Sequence, residues 1–227
     1  FNDKSFGGHG EYLTIAESDA VTTIPEGISF DVAAAITEGA HYALCDIRAA
    51  KVKPGQQVLV YGATGAIGSA AVQLLKHFGA TVTAVCNAKN VALVKALGAD
   101  TVIDYQTQDF TKTTTTFDFI FDAVGKSSFK QCKPLLTNKG IYISTELGKN
   151  GVNILLALTT PIGGGKKLLF PLPAISKEDV IFLQELVQSG AFKPVIDRIY
   201  HLDQIVEAYK YVESGEKTGN VILKVAE

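Results

Sequence analysis

The stretch Val58-Leu-Val-Tyr61-Gly62-Ala63-Thr64-Gly65-Ala66-Ile67-Gly68-Ser-Ala-Ala-Val-Gln73 decides the fold. A short apolar run ends on a glycine, and three glycines then recur at a spacing of three. From Ala66 onward Ile67, Ala70, Ala71, Leu74 and Leu75 share one helical face, and Gly79 ends the helix in the C′ position. The next run, Thr81-Val-Thr-Ala-Val85, is β-branched and apolar. This is strand, glycine turn, helix, strand within about thirty residues, the context a dinucleotide-binding fingerprint requires.

Against the pattern G-x-G-x-x-G, Gly65 and Gly68 match the second and third glycines, and Ala63 stands where the first belongs. Gly62, one residue earlier, permits the tight turn out of the strand. Gly65 lets backbone approach a pyrophosphate, and Gly68 lets the helix pack close on the strand. The helix start then aims unpaired N–H groups and the positive dipole end at the phosphates. The competing reading is a glycine-rich turn with no ligand.

The rhythm continues downstream. A helix is expected over Asn90–Leu97, strands over Thr101–Ile103, Asp118–Asp122 and Gly140–Ser144, and a helix from Ser127 or Ser128 to Leu136. Short apolar strands alternating with amphipathic helices predict an α/β protein of the Rossmann type, a doubly wound parallel sheet buried on both faces. Upstream, Glu11–Ile15 reads as a short strand and Asp31–Lys51 as one Ala-rich helix. After Gly148 the signal weakens. Pro161-Ile-Gly-Gly-Gly165 is a loop, Lys167–Pro171 a candidate strand and Ser176–Ser189 an amphipathic helix. Ile196–Tyr200, Leu202–Glu213 and Gly219–Val225 read as strand, helix, strand.

Composition excludes several functions. The 227 residues are 47% hydrophobic with a formal charge of −2, which is not a disordered chain. A pI near 6.1 gives no basic footprint for nucleic acid. Three cysteines make no disulfide framework, which suggests a reducing compartment. No run reaches the ~18 apolar residues of a spanning helix, and the first residues carry no signal-peptide pattern. A cytoplasmic chain with no membrane partner is therefore expected. It begins at Phe1 and contains no Met, as one piece of a longer protein would.

The end of the second strand bears on which dinucleotide binds. A carboxylate there would bond the ribose 2′-OH of NAD. The sequence has Asn87-Ala88-Lys89-Asn90 instead. Lys89 would attract a 2′-phosphate and Asn87 can donate from its amide, so NADP (as NADPH) is expected over NAD. A solvated surface lysine is the alternative.

The chain resembles the medium-chain dehydrogenase/reductase superfamily, nearest to its zinc-independent quinone oxidoreductase-like branch, where alanine in place of the first fingerprint glycine is usual. The resemblance rests on the run from Lys53-Pro-Gly-Gln56 through the glycine motif to Leu97-Gly-Ala-Asp-Thr-Val-Ile-Asp-Tyr105. Phe121-Asp-Ala-Val-Gly125, Thr218-Gly-Asn-Val-Ile-Leu-Lys-Val225, Phe6-Gly-Gly-His-Gly-Glu-Tyr12 and Asp31-Val-Ala-Ala-Ala-Ile36 follow the same order. It implies three parts. Residues 1–30 would be a remnant of a GroES-like catalytic domain, residues 31–165 the NAD(P)-binding Rossmann domain, and residues 166–227 a segment returning to the catalytic domain.

The resemblance also implies site residues. Thr64, Gly65, Ala66 and Ile67 would face the pyrophosphate. Asn87, Ala88, Lys89 and Tyr105 would surround the adenosine ribose and 2′-phosphate. Val124 and Gly125 would run along the nicotinamide ribose, Ser144 and Thr145 would flank the nicotinamide, and Lys217 and Asn220 would reach in from the C-terminal segment. Tyr42 stands where the branch has a small threonine beside the nicotinamide, so the shape of the hydride site departs from the pattern. His41 and Tyr42 can equally be helix-surface or domain-contact residues.

Hydride transfer to a quinone, enone or related carbonyl is the activity implied, with no obligatory protein acid, so the catalytic residues stay unknown. A zinc-dependent alcohol dehydrogenase of the same superfamily and a non-catalytic dinucleotide-binding module are the alternatives. Glu38 lies near a ligand position of zinc-dependent relatives. His9, His41, His77 and His201 with Cys45, Cys86 and Cys132 show no ligand spacing, so no metal is expected. The cysteines read as small core residues. A homodimer is implied as well, with the segment Leu168–Leu172 as the pairing edge.

Overall fold

The computed structural model describes residues 8–225. Phe6 and Gly7 of the first resemblance segment lie outside the described residues. Six strands form one sheet, β1 (Gln57–Tyr61), β2 (Thr81–Cys86), β3 (Thr101–Asp104), β4 (Phe117–Asp122), β5 (Leu136–Ser144) and β6 (Lys167–Leu169), in the order β3-β2-β1-β4-β5-β6. Every pairing is parallel. The strand order reverses between β1 and β4, so that is the topological switch point where such sheets bind ligands.

Both sheet faces are covered. On one, α2 (Gly39–Ala50), α3 (Ala66–His77), α4 (Val91–Ala96) and α7 (Lys177–Gln188) enclose Val58, Val60, Val82, Ala84, Phe119 and Phe121. On the other, α5 (Phe129–Cys132) and α6 (Val152–Thr159) cover Leu59, Val85, Ile120 and Tyr142. These strand residues are at or near zero exposure, which is why the strands read as continuous apolar runs. Two further strands, β7 (Ile196–His201) and β8 (Asn220–Lys224), flank α8 (Ile205–Glu213) and pair parallel in a separate sheet. The tip of this unit reaches back to the glycine turn, where the Gly219 N–H donates to the Thr64 carbonyl at 2.7 Å.

Several sequence expectations are corrected. Glu11–Ile15 forms no strand, because no described segment offers it a pairing edge, and Tyr12 is 93% exposed. The single helix expected over Asp31–Lys51 is two, α1 (Phe30–Ala35) and α2, separated at Ile36–Glu38. Thr37 breaks it by turning its hydroxyl onto the Ala34 carbonyl. Gly39 then opens α2 where a Cβ would come within 2.7 Å of the Ala66 backbone. α5 is capped by Ser128 as expected but stops at Cys132, because Pro134 turns the chain into a 3₁₀ turn. Residues Val152–Thr159, in the stretch where the sequence signal weakens, form the helix α6. Ser176 and Asp179 form a capping box that starts α7.

Candidate dinucleotide cleft

The glycine turn leaves β1 at the switch point. Gly62 takes φ +80, and a Cβ there would lie 2.4 Å from Val124 Cγ1, so the turn needs glycine on both counts. At Gly68 a Cβ would sit 2.0 Å from the Gly62 carbonyl oxygen, which holds α3 tight against the turn. Gly65 differs. Its φ is −70, open to any residue, and a Cβ would meet only the Gly62 oxygen at 4.0 Å. Neither conformation nor packing asks for glycine at Gly65. The space its side chain would fill is open above the start of α3, whose N-cap has no side-chain hydrogen bond. Uncapped N–H groups beneath an open cradle fit a pyrophosphate.

The residues expected around this turn fall in two groups along the carboxyl edge. Asn87, Ala88 and Lys89 follow β2, and Tyr105 follows β3, with Ala88, Lys89 and Tyr105 exposed. Asn87 Oδ1 accepts from Asn90 Nδ2 at 2.9 Å, which fixes the Asn87 amide in place. At the other end Val124 and Gly125 follow β4, Ser144 ends β5 and Thr145 follows it. Thr64, Ala66 and Ile67 are half-buried at the turn between them. Ala63 is fully buried in the core, so its side chain cannot reach a ligand. Lys217 Nζ donates to the Gly219 carbonyl, and Asn220 Nδ2 to that of Val195, so both donors are engaged within the C-terminal segment. Burial lowers the Lys217 ammonium from its ordinary range, opposed by Glu38 and Asp197.

Tyr42 lies beside Ser144 and Thr145. With Cys45, Asp46, Phe170, Pro171 and Pro173 they line a cavity of about 60 Å³. His41, one residue earlier, is buried against the Ala174 backbone, and burial lowers its pKa. A larger cavity of about 120 Å³ lies between residues 20–37 and α7, but its walls carry no titratable side chain.

Two buried acids at the carboxyl edge and on α2 were not singled out by the sequence. Asp122, wholly buried, accepts from the Val124 and Ser127 amides and from the Tyr142 hydroxyl, and so shapes the turn after β4. Its signal was an acid closing the apolar strand Phe119-Ile-Phe-Asp122. Asp46, 7% exposed, has its carboxyl pushed up to about 7 by burial. Its signal was an acid amid the buried positions Ala43, Leu44 and Ile47. Cys86 and Cys132 are core residues, with thiols pushed up to about 11 mainly by burial. Among the described residues no three His, Cys, Asp or Glu side chains converge as metal ligands.

A parallel α/β sheet with a glycine turn at its switch point defines a dinucleotide-binding fold. Residues 97–223 match the family model described as "Zinc-binding dehydrogenase". The chain is 33% identical over 225 residues to a 2-methylene-furan-3-one reductase of Solanum lycopersicum, covering 97% of this chain and 53% of that protein. It is 32% identical to a chloroplastic quinone-oxidoreductase of Triphysaria versicolor, over 97% of this chain and 70% of the relative. It is 30% identical to an NADPH-dependent alkenal/one oxidoreductase, chloroplastic, of Arabidopsis thaliana, over 97% and 53%. The quinone oxidoreductase of Coxiella burnetii superposes with a TM-score of 0.82 at 28% identity, covering 90% of this chain and 64% of that one. The chain belongs to the medium-chain dehydrogenase/reductase superfamily and corresponds to its C-terminal, cofactor-binding part. It spans about half the length of two of these relatives. The expectation of a cytoplasmic chain is corrected, since two of the relatives are chloroplastic by name. Cysteine count speaks to redox state, and it does not separate a reducing organelle interior from the cytosol.

Proposed function

We propose that this chain is the cofactor-binding part of an NADPH-dependent oxidoreductase that transfers hydride to a quinone, an enone or a related conjugated carbonyl. The observation that carries the reading is Gly65, a glycine the protein's own packing and conformation do not require, open above an uncapped helix start. The names of the relatives support the substrate class.

Bound there, the nicotinamide supplies the hydride. The chain's residues bind and orient it. The Ala66–Gly68 amides hold the pyrophosphate, and Lys89 with the Asn87 amide takes the 2′-phosphate. Tyr105 would meet the adenosine, and Asp122 holds the turn on which Val124 and Gly125 would follow the nicotinamide ribose. Ser144, Thr145 and Tyr42 shape the hydride site, and Lys217 and Asn220 close it from the C-terminal side. No carboxylate follows β2 to favour the 2′-OH of NAD. The domain boundaries near residues 30 and 165 belong to the same proposal.

A homodimer is part of it. Among the described residues β6 pairs on one side only, with β5, and leaves an open sheet edge. Beside it Ile154, Leu155, Leu158 and Ile162 expose one apolar stripe, and Leu172 is 80% exposed. A second copy pairing along β6 would cover both. Nucleic acid and spanning of a membrane are not part of the reading, and among the described residues no helix is long and apolar enough to cross one.

The test is Lys89→Glu with NADPH and NADH titrated calorimetrically. The expected result is a loss of at least tenfold in NADPH affinity with NADH little changed. Unchanged NADPH affinity overturns the phosphate site.

A further inference from the structure

Asp46 sits one helical turn after Tyr42 on α2, so the two side chains share a face. That face meets the end of β5 and the segment 170–173 around the 60 Å³ cavity. Among the described residues Asp46 is the only carboxyl on the cavity wall. The other titratable groups there, Tyr42 and Cys45, stand on its own helix, and neither Ser144 and Thr145 nor Phe170, Pro171 and Pro173 titrates. The Cys45 thiol is turned to the Leu172 carbonyl, and Arg48, two residues on, pairs with Asp179.

A buried carboxyl kept only for structure is normally held by donors. Among the described residues, burial acts on Asp46 with no hydrogen bond and no neighbouring charge to offset it. Such a group is retained at a cost to stability. An acid near 7, beside the residues that flank the nicotinamide, is matched to proton transfer at neutral pH.

We propose that Asp46 is the proton donor of the reduction, positioned on the cavity wall shared by Tyr42, Ser144 and Thr145. This rests on the reading of the chain as a conjugated-carbonyl reductase. The substrate accepts hydride at its β-carbon, where the new C–H bond forms. The C=C electron pair moves toward the carbonyl to leave an enolate, and the dinucleotide is oxidised by two electrons. The Asp46 O–H bond then breaks, its proton bonds to the α-carbon, and the C=O re-forms. The Asp46 carboxylate recovers its proton from water.

Two measurements test it, each on the active enzyme and its Asp46→Asn variant, an isostere that fills the same space. The first is the infrared carbonyl band of a protonated carboxyl, followed from pH 5 to 9. A band lost with a midpoint near 7 and absent from the variant supports the proposal. A carboxyl already ionised at pH 5 overturns it. The second is the pH profile of kcat and KM with NADPH and 3-buten-2-one. The parent's kcat should fall as pH rises through about 7, and the variant should lose at least tenfold in kcat, with KM and NADPH affinity unchanged and the limb gone. A variant with the parent's kcat and profile overturns Asp46 while leaving the functional reading in place. A parent that binds NADPH yet reduces no enone or quinone sinks the functional reading itself, and the donor role with it.

Discussion

The two ends of the cleft are built by different means. The end at the glycine turn is made of backbone. Gly62, Gly65 and Gly68 act through absent side chains, and the ligand would meet N–H groups at the start of α3. The end at Ser144 and Thr145 is made of side chains gathered from α2, from the end of β5 and from the segment 170–173, which are distant in sequence. Backbone sites leave a spacing signature in sequence, while assembled side-chain sites leave almost none.

The largest expected effect breaks the comparison at the assembled end. Asp46 is raised from 3.8 to about 7 in the folded chain. The folded state therefore holds its proton longer than the unfolded chain does. The contribution to stability is complete below the unfolded pKa and is lost as pH rises to the folded one. Asp46→Asn should leave stability nearly unchanged at pH 4 and raise it by no more than about 4 kcal/mol above pH 7. Urea midpoints across that range check the sign, and a gain independent of pH would remove the burial argument.

Next come the glycines, which should separate cleanly. Gly68→Ala forces a Cβ onto the Gly62 carbonyl and should cost about 3 kcal/mol in stability. Gly65→Ala should cost under about 1 kcal/mol while weakening NADPH binding at least tenfold. Denaturation paired with calorimetry reads both. Equal stability losses would mean that Gly65 is structural too.

Asp122→Ala should cost about 2–3 kcal/mol by leaving the Tyr142 hydroxyl and the Val124 and Ser127 amides without their acceptor. It should also weaken NADPH binding, because Gly125 depends on that turn. The smallest structural effect belongs to Lys89→Glu. Lys89 is exposed, so thermal stability should stay within about 0.5 kcal/mol, and only the preference for NADPH should change.

These differences explain what could be read in the sequence. β1 to β5 and α3 announced themselves, because strands buried on both faces must be apolar throughout and Gly62, Gly79 and Gly98 mark turns with positive φ. The position of Asn87, Ala88 and Lys89 at the carboxyl edge was legible because they follow β2 directly. α6 was missed because its outward face is as apolar as its inner one, so no amphipathic period appears. The break at Thr37 was missed because a hydroxyl bonding its own backbone leaves no mark in an Ala-rich run. Glu11–Ile15 has strand composition, but a strand also requires a neighbour. Asp46 and Asp122 looked like ordinary acids, and only tertiary packing buries them.

The central claim is that the open cradle at Gly65 receives a dinucleotide. Its most direct test is a calorimetric titration of NADPH and NADH into the parent chain, repeated with Gly65→Ala. The account predicts NADPH binding at least tenfold tighter than NADH in the parent and largely lost in the variant, with the fold intact. No binding of either dinucleotide to the parent, or NADPH binding undiminished in Gly65→Ala, would contradict it.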